Sequence, residues 1–100
     1  MLTVGRLAKR HGVSRSTLLY YDSLGLLSPR DRARGEYRRY SAQEAARLER
    51  ILRYRRMGFS LERIKDLLDA PDAAFRGALA RRMEELRAEI AHLREQRRLL

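Results

Sequence analysis

The sequence predicts a mainly α-helical protein in which four short helices and a small β-ribbon precede one long helix. Closely spaced helix caps and stops indicate the short helices, and the basic stretch Ser28 to Tyr40, which lacks a helical period, indicates the ribbon. A heptad pattern of apolar residues indicates the long helix. The break "APD" separates two predicted domains, residues 1–70 and 71–100.

The first two helices are separated by only three residues, "GVS". Thr3 is the predicted N-cap of a helix from Val4 to about His11, which Gly12 ends. Ser14 is the predicted N-cap of the next helix, which runs from Arg15 to about Leu24 and ends at Gly25. So short a turn predicts a helix-turn-helix corner.

Helical spacing divides the second helix into two faces. Leu18 and Tyr21, three residues apart, are expected in the core with Val13 and Leu24. The opposite face contains Arg15, Ser16, Leu19, Tyr20 and Ser23.

The stretch "SPRDRARGEYRRY" predicts a two-stranded ribbon packed beside the helices as a wing, because Pro29 and Gly35 interrupt any helix. Tyr40, next to the following helix start, is expected in the core rather than at a contact surface. The ribbon is basic, and its arginines are Arg30, Arg32, Arg34, Arg38 and Arg39.

Two more short helices follow the ribbon. Ser41 and Glu44 form a predicted capping box for a third helix that reaches about Met57. Ser60 is the predicted cap of a fourth helix that ends near Asp69. Phe59 and Ile64 are placed as its hydrophobic staple.

The last helix is predicted from about Ala73 to the end of the chain. Its heptad seam alternates steps of four and three residues, with Arg97 at one position. About 28 residues give a helix of ~42 Å, more than a domain of this size needs. We therefore expect the seam to pair with a second copy. The predicted dimerisation residues are Leu79, Met83, Leu86, Ile90, Leu93 and Leu100.

Composition favours a polyanionic partner. The net charge is +10, and residues 1–70 carry 16 basic and 8 acidic residues, against 7 and 5 in residues 71–100. Only Lys9 and Lys65 are lysines; arginine suits phosphates and guanine edges, although a GC-rich genome gives the same bias. The absence of cysteine excludes disulfides and thiolate metal sites within this chain.

No apolar run approaches the ~18 residues that span a bilayer, and the first residues lack a signal-peptide core. We therefore expect a soluble, cytoplasmic protein without a membrane partner. His11 and His92 lie in different elements and are expected at the surface. Neither a catalytic constellation nor a cofactor or metal site is indicated, so an enzyme is not expected.

The outward face of the second helix is the predicted DNA-binding surface, because the first residues of such a helix enter the major groove. Arg15 and Ser16 can donate to base edges or phosphates, and Tyr20 can donate to a phosphate. The alternatives are a solvated Arg15, a Tyr20 packed under the ribbon, and a ribbon that is an ordinary solvated loop. The basic run Arg53 to Arg56 either extends this surface or is solvated.

Three motifs together resemble the MerR family of bacterial transcription regulators: "TVGRLAKRHGVSRSTLLYYDSLGLLSP", "RGEYRRYS" and "MGFSLERIKDLL". The resemblance covers nearly the whole chain. It implies a homodimer with antiparallel long helices that binds a palindromic site in double-stranded promoter DNA. Bending and untwisting an overlong promoter spacer would then let RNA polymerase engage, so that one bound dimer represses or activates.

The resemblance places Arg15, Thr17 and Tyr20 on the recognition helix, and Tyr37, Arg38 and Arg39 in the wing. The chain departs from the family pattern twice. Leu19 stands where the family usually has arginine. The leucine offers an apolar contact to a thymine methyl instead. Glu36 intervenes between the glycine and tyrosine of the wing.

Two other functions remain open from the sequence. One is an excisionase-like or nucleoid protein that bends DNA without regulating a promoter. The other is a helical adaptor whose basic surface binds an acidic protein. The resemblance implies that metal- and redox-sensing members use cysteines. This chain contains no cysteine, so the sequence does not identify an effector. Since the chain stops within the helical pattern "LREQRRLL", we expect a truncated or compact protein.

Overall fold

The structure is a computed structural model that describes residues 1–31 and 39–100. It contains two compact units, Met1–Leu68 and Asp69–Leu100. The elements, in chain order, are β1 (Leu2–Thr3), α1 (Val4–His11), α2 (Arg15–Ser23), β2 (Arg39–Tyr40), α3 (Ala42–Arg56), α4 (Leu61–Leu68) and α5 (Asp72–Leu99). All five predicted helices are present, and their ends agree with the predicted ends to within one or two residues.

Side-chain caps fix where the short helices begin, as the sequence predicts. The Thr3 hydroxyl accepts from the Arg6 N–H at 3.3 Å, and the Ser14 hydroxyl accepts from the Thr17 N–H at 3.0 Å. The Ser60 hydroxyl accepts from the Arg63 N–H at 3.1 Å. Each bond satisfies an N–H that has no partner within its own helix.

The capping box of α3 is part of a larger polar cluster. Glu44 accepts from the Ser41 N–H at 2.9 Å and from the Ser41 hydroxyl at 2.7 Å, and Arg30 donates to it at 3.2 Å. Desolvation raises the pKa of Glu44, but the hydrogen bonds from Ser41 and Arg30 outweigh this and hold it below its ordinary value. Arg30, one of the predicted basic residues of the ribbon, is therefore held against the start of α3.

The described strands include a pairing that the sequence does not predict. Strand β2 pairs antiparallel with β1 at the N-terminus, with Leu2 opposite Tyr40 and Thr3 opposite Arg39. On its other side, Arg39 forms a single bridge with Asp31. The sequence does not predict β1, because two residues are too few to show the alternation of a strand. The tip of the predicted ribbon lies outside the described residues.

The core of the first unit comes from every helix of that unit and from β2. Tyr40 is fully buried, as predicted, and it lies beside the helices as the inward residue of its strand. Phe59 and Ile64, the predicted staple, are both buried. The fully buried large side chains are Leu7, Leu18, Leu26, Leu27, Tyr40, Leu48, Ile51 and Ile64.

Leu24 is a wrong prediction, because its side chain is 36% exposed. Helix α2 ends one residue earlier, at Ser23, and Leu24 is its C-cap. Gly25 then adopts a left-handed backbone with φ of 70°, which glycine reaches without strain. The chain turns there, and the next two leucines, Leu26 and Leu27, enter the core in place of Leu24.

The second unit is the 28-residue helix α5. Four residues of the predicted seam are exposed in the single chain: Met83 at 53%, Ile90 at 46%, Leu93 at 55% and Leu100. Leu79 and Leu86 are half-buried. None of the helices in the described ranges combines the length and apolar character that crossing a bilayer requires.

Candidate nucleic-acid interface

Helix α2 is fixed at its start by the turn that precedes it. Gly12 has φ of 69°, and the Val13 N–H donates to the Ala8 carbonyl at 3.0 Å, so the chain reverses within three residues. The Ser14 cap then begins α2. The Ser14 and Thr17 hydroxyls also lie 2.8 Å apart in a hydrogen bond. Thr17 is half-buried, and its hydroxyl pairs with Ser14 in an exposed hydrogen bond at the start of the helix.

The two adjacent tyrosines of α2 point to opposite sides. Tyr21 is 5% exposed and Leu18 is fully buried, so both belong to the core. Tyr20 is 55% exposed and Leu19 is 40% exposed. This separation follows from the helical period, because residues three apart share a face and adjacent residues do not.

The exposed face of α2 combines cationic, hydroxyl and apolar groups. Arg15 and Ser16 are exposed in its first turn. Gly5 of α1 lies beside Arg15: a Cβ atom at Gly5 would be 3.9 Å from the Arg15 Nε. The donors of the first turn can hydrogen-bond to phosphates or base edges, and the Tyr20 hydroxyl one turn later can donate to a phosphate. Leu19, which lies between them, can make an apolar contact with a base.

Part of the predicted ribbon contact is described. Arg39 is exposed in β2, and its main chain is held on both sides, by the pairing with β1 and by the Asp31 N–H and carbonyl. Tyr37 and Arg38 lie outside the described residues, as do Arg32, Arg34 and Glu36.

A second basic surface lies between the C-terminal ends of α1 and α3. It is a cleft of about 340 Å³, lined by Arg10, His11, Glu49, Leu52, Arg53 and Arg56. His11 was expected at the surface, but it is half-buried, and its Nε2 atom is enclosed. His92 is exposed, as expected. Over the described parts of the chain, no three His, Cys, Asp or Glu side chains form a group suited to a metal ion.

Two side chains from α3 and α4 contact the end of α2, and the sequence does not predict either contact. Arg47 donates from Nε to the Leu26 carbonyl at 2.8 Å, and Lys65 donates from Nζ to the Leu24 carbonyl at 3.0 Å. The partners are 21 and 41 residues apart in sequence. No local pattern links residues that far apart, so only the folded chain reveals them.

Comparisons with known proteins agree with this architecture. The model of a family described as "MerR HTH family regulatory protein" matches residues 2–71, and one described as "MerR, DNA binding" matches residues 45–100. The transcriptional activator TipA of Streptomyces coelicolor is 43% identical over 93 residues, which are 93% of this chain. The chain spans 37% of the length of TipA.

Two further matches cover a larger share of the related protein. The heavy metal-dependent transcription regulator 2 of Rhizobium meliloti is 31% identical over 99% of this chain and 71% of that protein. The crystal structure of the N-terminus of MtaN, the multidrug transporter activator of Bacillus subtilis, matches with a TM-score of 0.86 at 34% identity. That match covers 96% of this chain and 91% of the MtaN chain.

Proposed function

The chain belongs to the MerR family of DNA-binding transcription regulators, and we propose that it acts as a homodimer on a promoter site with two-fold symmetry. In this proposal, the α2 helix of each protomer enters the major groove of one half-site. Distortion of the DNA between the half-sites then changes the access of RNA polymerase to the promoter. The activity is non-enzymatic.

The observation that carries this proposal is the outward face of α2. Tyr20 and Leu19 are large side chains exposed on a helix whose other side is fully packed. Together with Arg15 they place a cation, a hydroxyl and an apolar group on one exposed helix face, and these are groups that a helix in a DNA groove uses. The net charge of +8 on residues 1–70 supplies the attraction to phosphates.

The seam of α5 supports the homodimer. Met83, Ile90 and Leu93 are about half exposed in the single chain and recur at heptad spacing. Pairing with a second copy would remove this apolar surface from water. Antiparallel pairing relates the two copies by a two-fold axis, and such a dimer matches a DNA site with the same symmetry.

Distortion of the DNA is the proposed route from binding to regulation. Elements of a promoter that lie on mismatched faces of the double helix can be realigned only by bending or untwisting the DNA between them. Such deformation costs on the order of 1–6 kcal/mol, which the contacts of two α2 helices and two ribbons are sufficient to offset.

Selection of bound sites from random DNA tests the proposal. We expect two inverted half-sites whose centres are separated by a multiple of about 10–10.5 base pairs, one turn of DNA. The double variant Arg15→Ala, Arg38→Ala should lose binding to the selected site at moderate salt. Enrichment of sites without two-fold symmetry would contradict the dimeric arrangement, and equal binding by the double variant would contradict the assigned surface.

The adjacent tyrosines provide a matched pair of variants. Tyr20→Phe removes one outward hydroxyl from each protomer and should weaken binding of the dimer about ten- to 100-fold, the value of two hydrogen bonds. Tyr21→Phe removes the same atom from an inward side chain and should leave the affinity within about twofold. An equal effect of the two substitutions would show that Tyr20 does not contact DNA.

A further inference from the structure

Helix α2 differs from the other helices of the described chain at its C-terminal end. A helix C-terminus carries a partial negative charge, which a nearby cation stabilises. The last turns of α1, α3, α4 and α5 all contain basic residues, but the last turn of α2 contains none. The helix that is proposed to read DNA therefore lacks a C-terminal cation of its own.

Lys65 of α4 supplies that cation from another part of the fold. Its ammonium donates to the carbonyl of Leu24, the C-cap of α2, at 3.0 Å. The ammonium also packs against Gly25, where an added Cβ atom would lie 3.2 Å from Nζ. Glycine at this position therefore provides both the left-handed turn and the space that Lys65 occupies.

Arg47 of α3 holds the next part of the same turn through its bond to the Leu26 carbonyl. Leu26 and Leu27 are fully buried, so the chain just beyond α2 is anchored in the core. Helices α3 and α4 pack against each other. The C-terminal end of α2 is therefore tied to two packed helices by two charged hydrogen bonds.

We propose that Lys65 is a positioning residue for DNA recognition: it fixes the direction of α2 by holding the Leu24 carbonyl, and it does not itself contact DNA. This inference rests on the proposed DNA-binding role of α2. The helix is only about 14 Å long, so movement at one end displaces the side chains that contact bases. Contacts to base edges read the sequence, whereas phosphate contacts carry no sequence information, so such a movement affects the specific site and not unrelated DNA.

The salt dependence of DNA binding distinguishes a positioning role of Lys65 from a direct contact with a phosphate. A lysine that neutralises a phosphate releases counterions, and its loss from both protomers makes the slope of log K against log salt shallower by about 1.8. A positioning lysine leaves that slope unchanged. Its loss lowers the affinity for the specific site while the affinity for unrelated DNA remains the same.

The test compares Lys65→Met with Arg63→Met, which removes an exposed positive charge from the same helix. Affinity is measured on the selected site and on unrelated DNA between 50 and 200 mM salt. We expect Lys65→Met to weaken specific binding about three- to tenfold at constant slope. Arg63→Met should leave the ratio of the affinity for the selected site to the affinity for unrelated DNA unchanged. Lys65→Arg should retain most of the wild-type affinity for the selected site.

A readout without DNA checks the contact itself. The carbonyl carbon-13 resonance of Leu24 and the amide resonance of Gly25 should shift in Lys65→Met and remain in place in Arg63→Met. Thermal unfolding establishes that each variant is folded, and Lys65→Gln serves in place of Lys65→Met should the latter unfold.

The other outcomes overturn the inference in distinguishable ways. A slope that becomes shallower by about 1.8, with equal losses on both DNAs, identifies Lys65 as a phosphate contact in each protomer. Unchanged affinity in Lys65→Met, with a wild-type protein that discriminates its site, overturns the positioning role alone. A wild-type protein that does not discriminate its site from unrelated DNA overturns the proposed function and the positioning role together.

Discussion

Leu19 provides the sharpest test of the proposed DNA surface, because it is an apolar residue in the middle of a face that should meet a polyanion. The side chain is 40% exposed in α2, one position before Tyr20. Leu19→Arg changes little in the fold, since leucine and arginine have nearly equal helix propensity. The aliphatic stem of arginine can also cover the apolar surface that leucine covers.

The expected gain follows from one added phosphate contact per protomer, which is two in the dimer. At 50 mM salt, the variant should bind DNA about 100-fold more tightly, as two charged hydrogen bonds of about 1.4 kcal/mol each give. The slope of log K against log salt should steepen by about 1.8. Over the fourfold increase from 50 to 200 mM salt, the advantage should therefore fall about 12-fold, to roughly eightfold.

Fluorescence anisotropy with a labelled duplex that carries the selected site measures both quantities. Ala88→Arg is the matched control, because Ala88 is exposed in α5 and lies off the heptad seam. It adds the same charge far from α2 in sequence and should leave the salt slope unchanged. A Leu19→Arg slope equal to that of the wild type, or an equal change in Ala88→Arg, would refute the placement of Leu19 at the DNA.

Four other results are expected from the structure. Ser41→Ala should lower the free energy of unfolding by about 1 kcal/mol in urea titrations, because it removes the cap of α3. The Glu44 pKa is lowered in the folded state, so its carboxylate stabilises the fold above the unfolded pKa of about 4.3. This contribution is lost as the pH falls through the folded pKa. The unfolding temperature of the wild type should therefore fall more steeply below about pH 4.5 than that of Glu44→Gln; parallel curves would contradict this. Gly12→Ala should cost about 1 kcal/mol, because φ of 69° strains any residue with a Cβ atom. Ile90→Asp should weaken the proposed dimer at least about 100-fold in analytical ultracentrifugation, since it affects both copies, whereas Ala88→Asp should preserve the dimer.

The starts and ends of the helices were predictable because local chemistry determines them. Ser14 and Ser41 are caps whose partners lie three residues away, and Gly12 is a turn residue with its own backbone preference. The division of Tyr20 from Tyr21 was likewise local, since the helical period alone decides it. Each of these predictions uses information within one or two turns of the chain.

The features that sequence analysis missed depend on residues distant in sequence. Strand β1 forms because Leu2 pairs with Tyr40, 38 residues away. Lys65 meets Leu24 only after α4 has packed. Leu24 itself was placed in the core because its spacing from Tyr21 fits the helical period, but the period ends where the helix ends. A one-residue difference in the end of α2 exchanged Leu24 for the two leucines that follow.

The DNA-contact roles of Arg15, Ser16, Thr17, Leu19, Tyr20 and Arg39 remain predictions, as do those of Tyr37 and Arg38. The described members of this set differ in exposure and in hydrogen bonding. Arg15, Ser16 and Tyr20 are available on the surface, whereas the Thr17 hydroxyl is engaged in the helix start. Of the two ribbon arginines that the structure describes, Arg30 is paired with Glu44, and Arg39 is exposed.

Transcription from promoters of different spacer length tests the central claim most directly. The spacer between the two polymerase elements is lengthened one base pair at a time around a fixed binding site, and transcripts are measured with and without the protein. We predict activation only at spacers longer than the polymerase optimum, and repression or no effect at the optimum. A change in transcription that is the same at every spacer length would contradict regulation by DNA distortion.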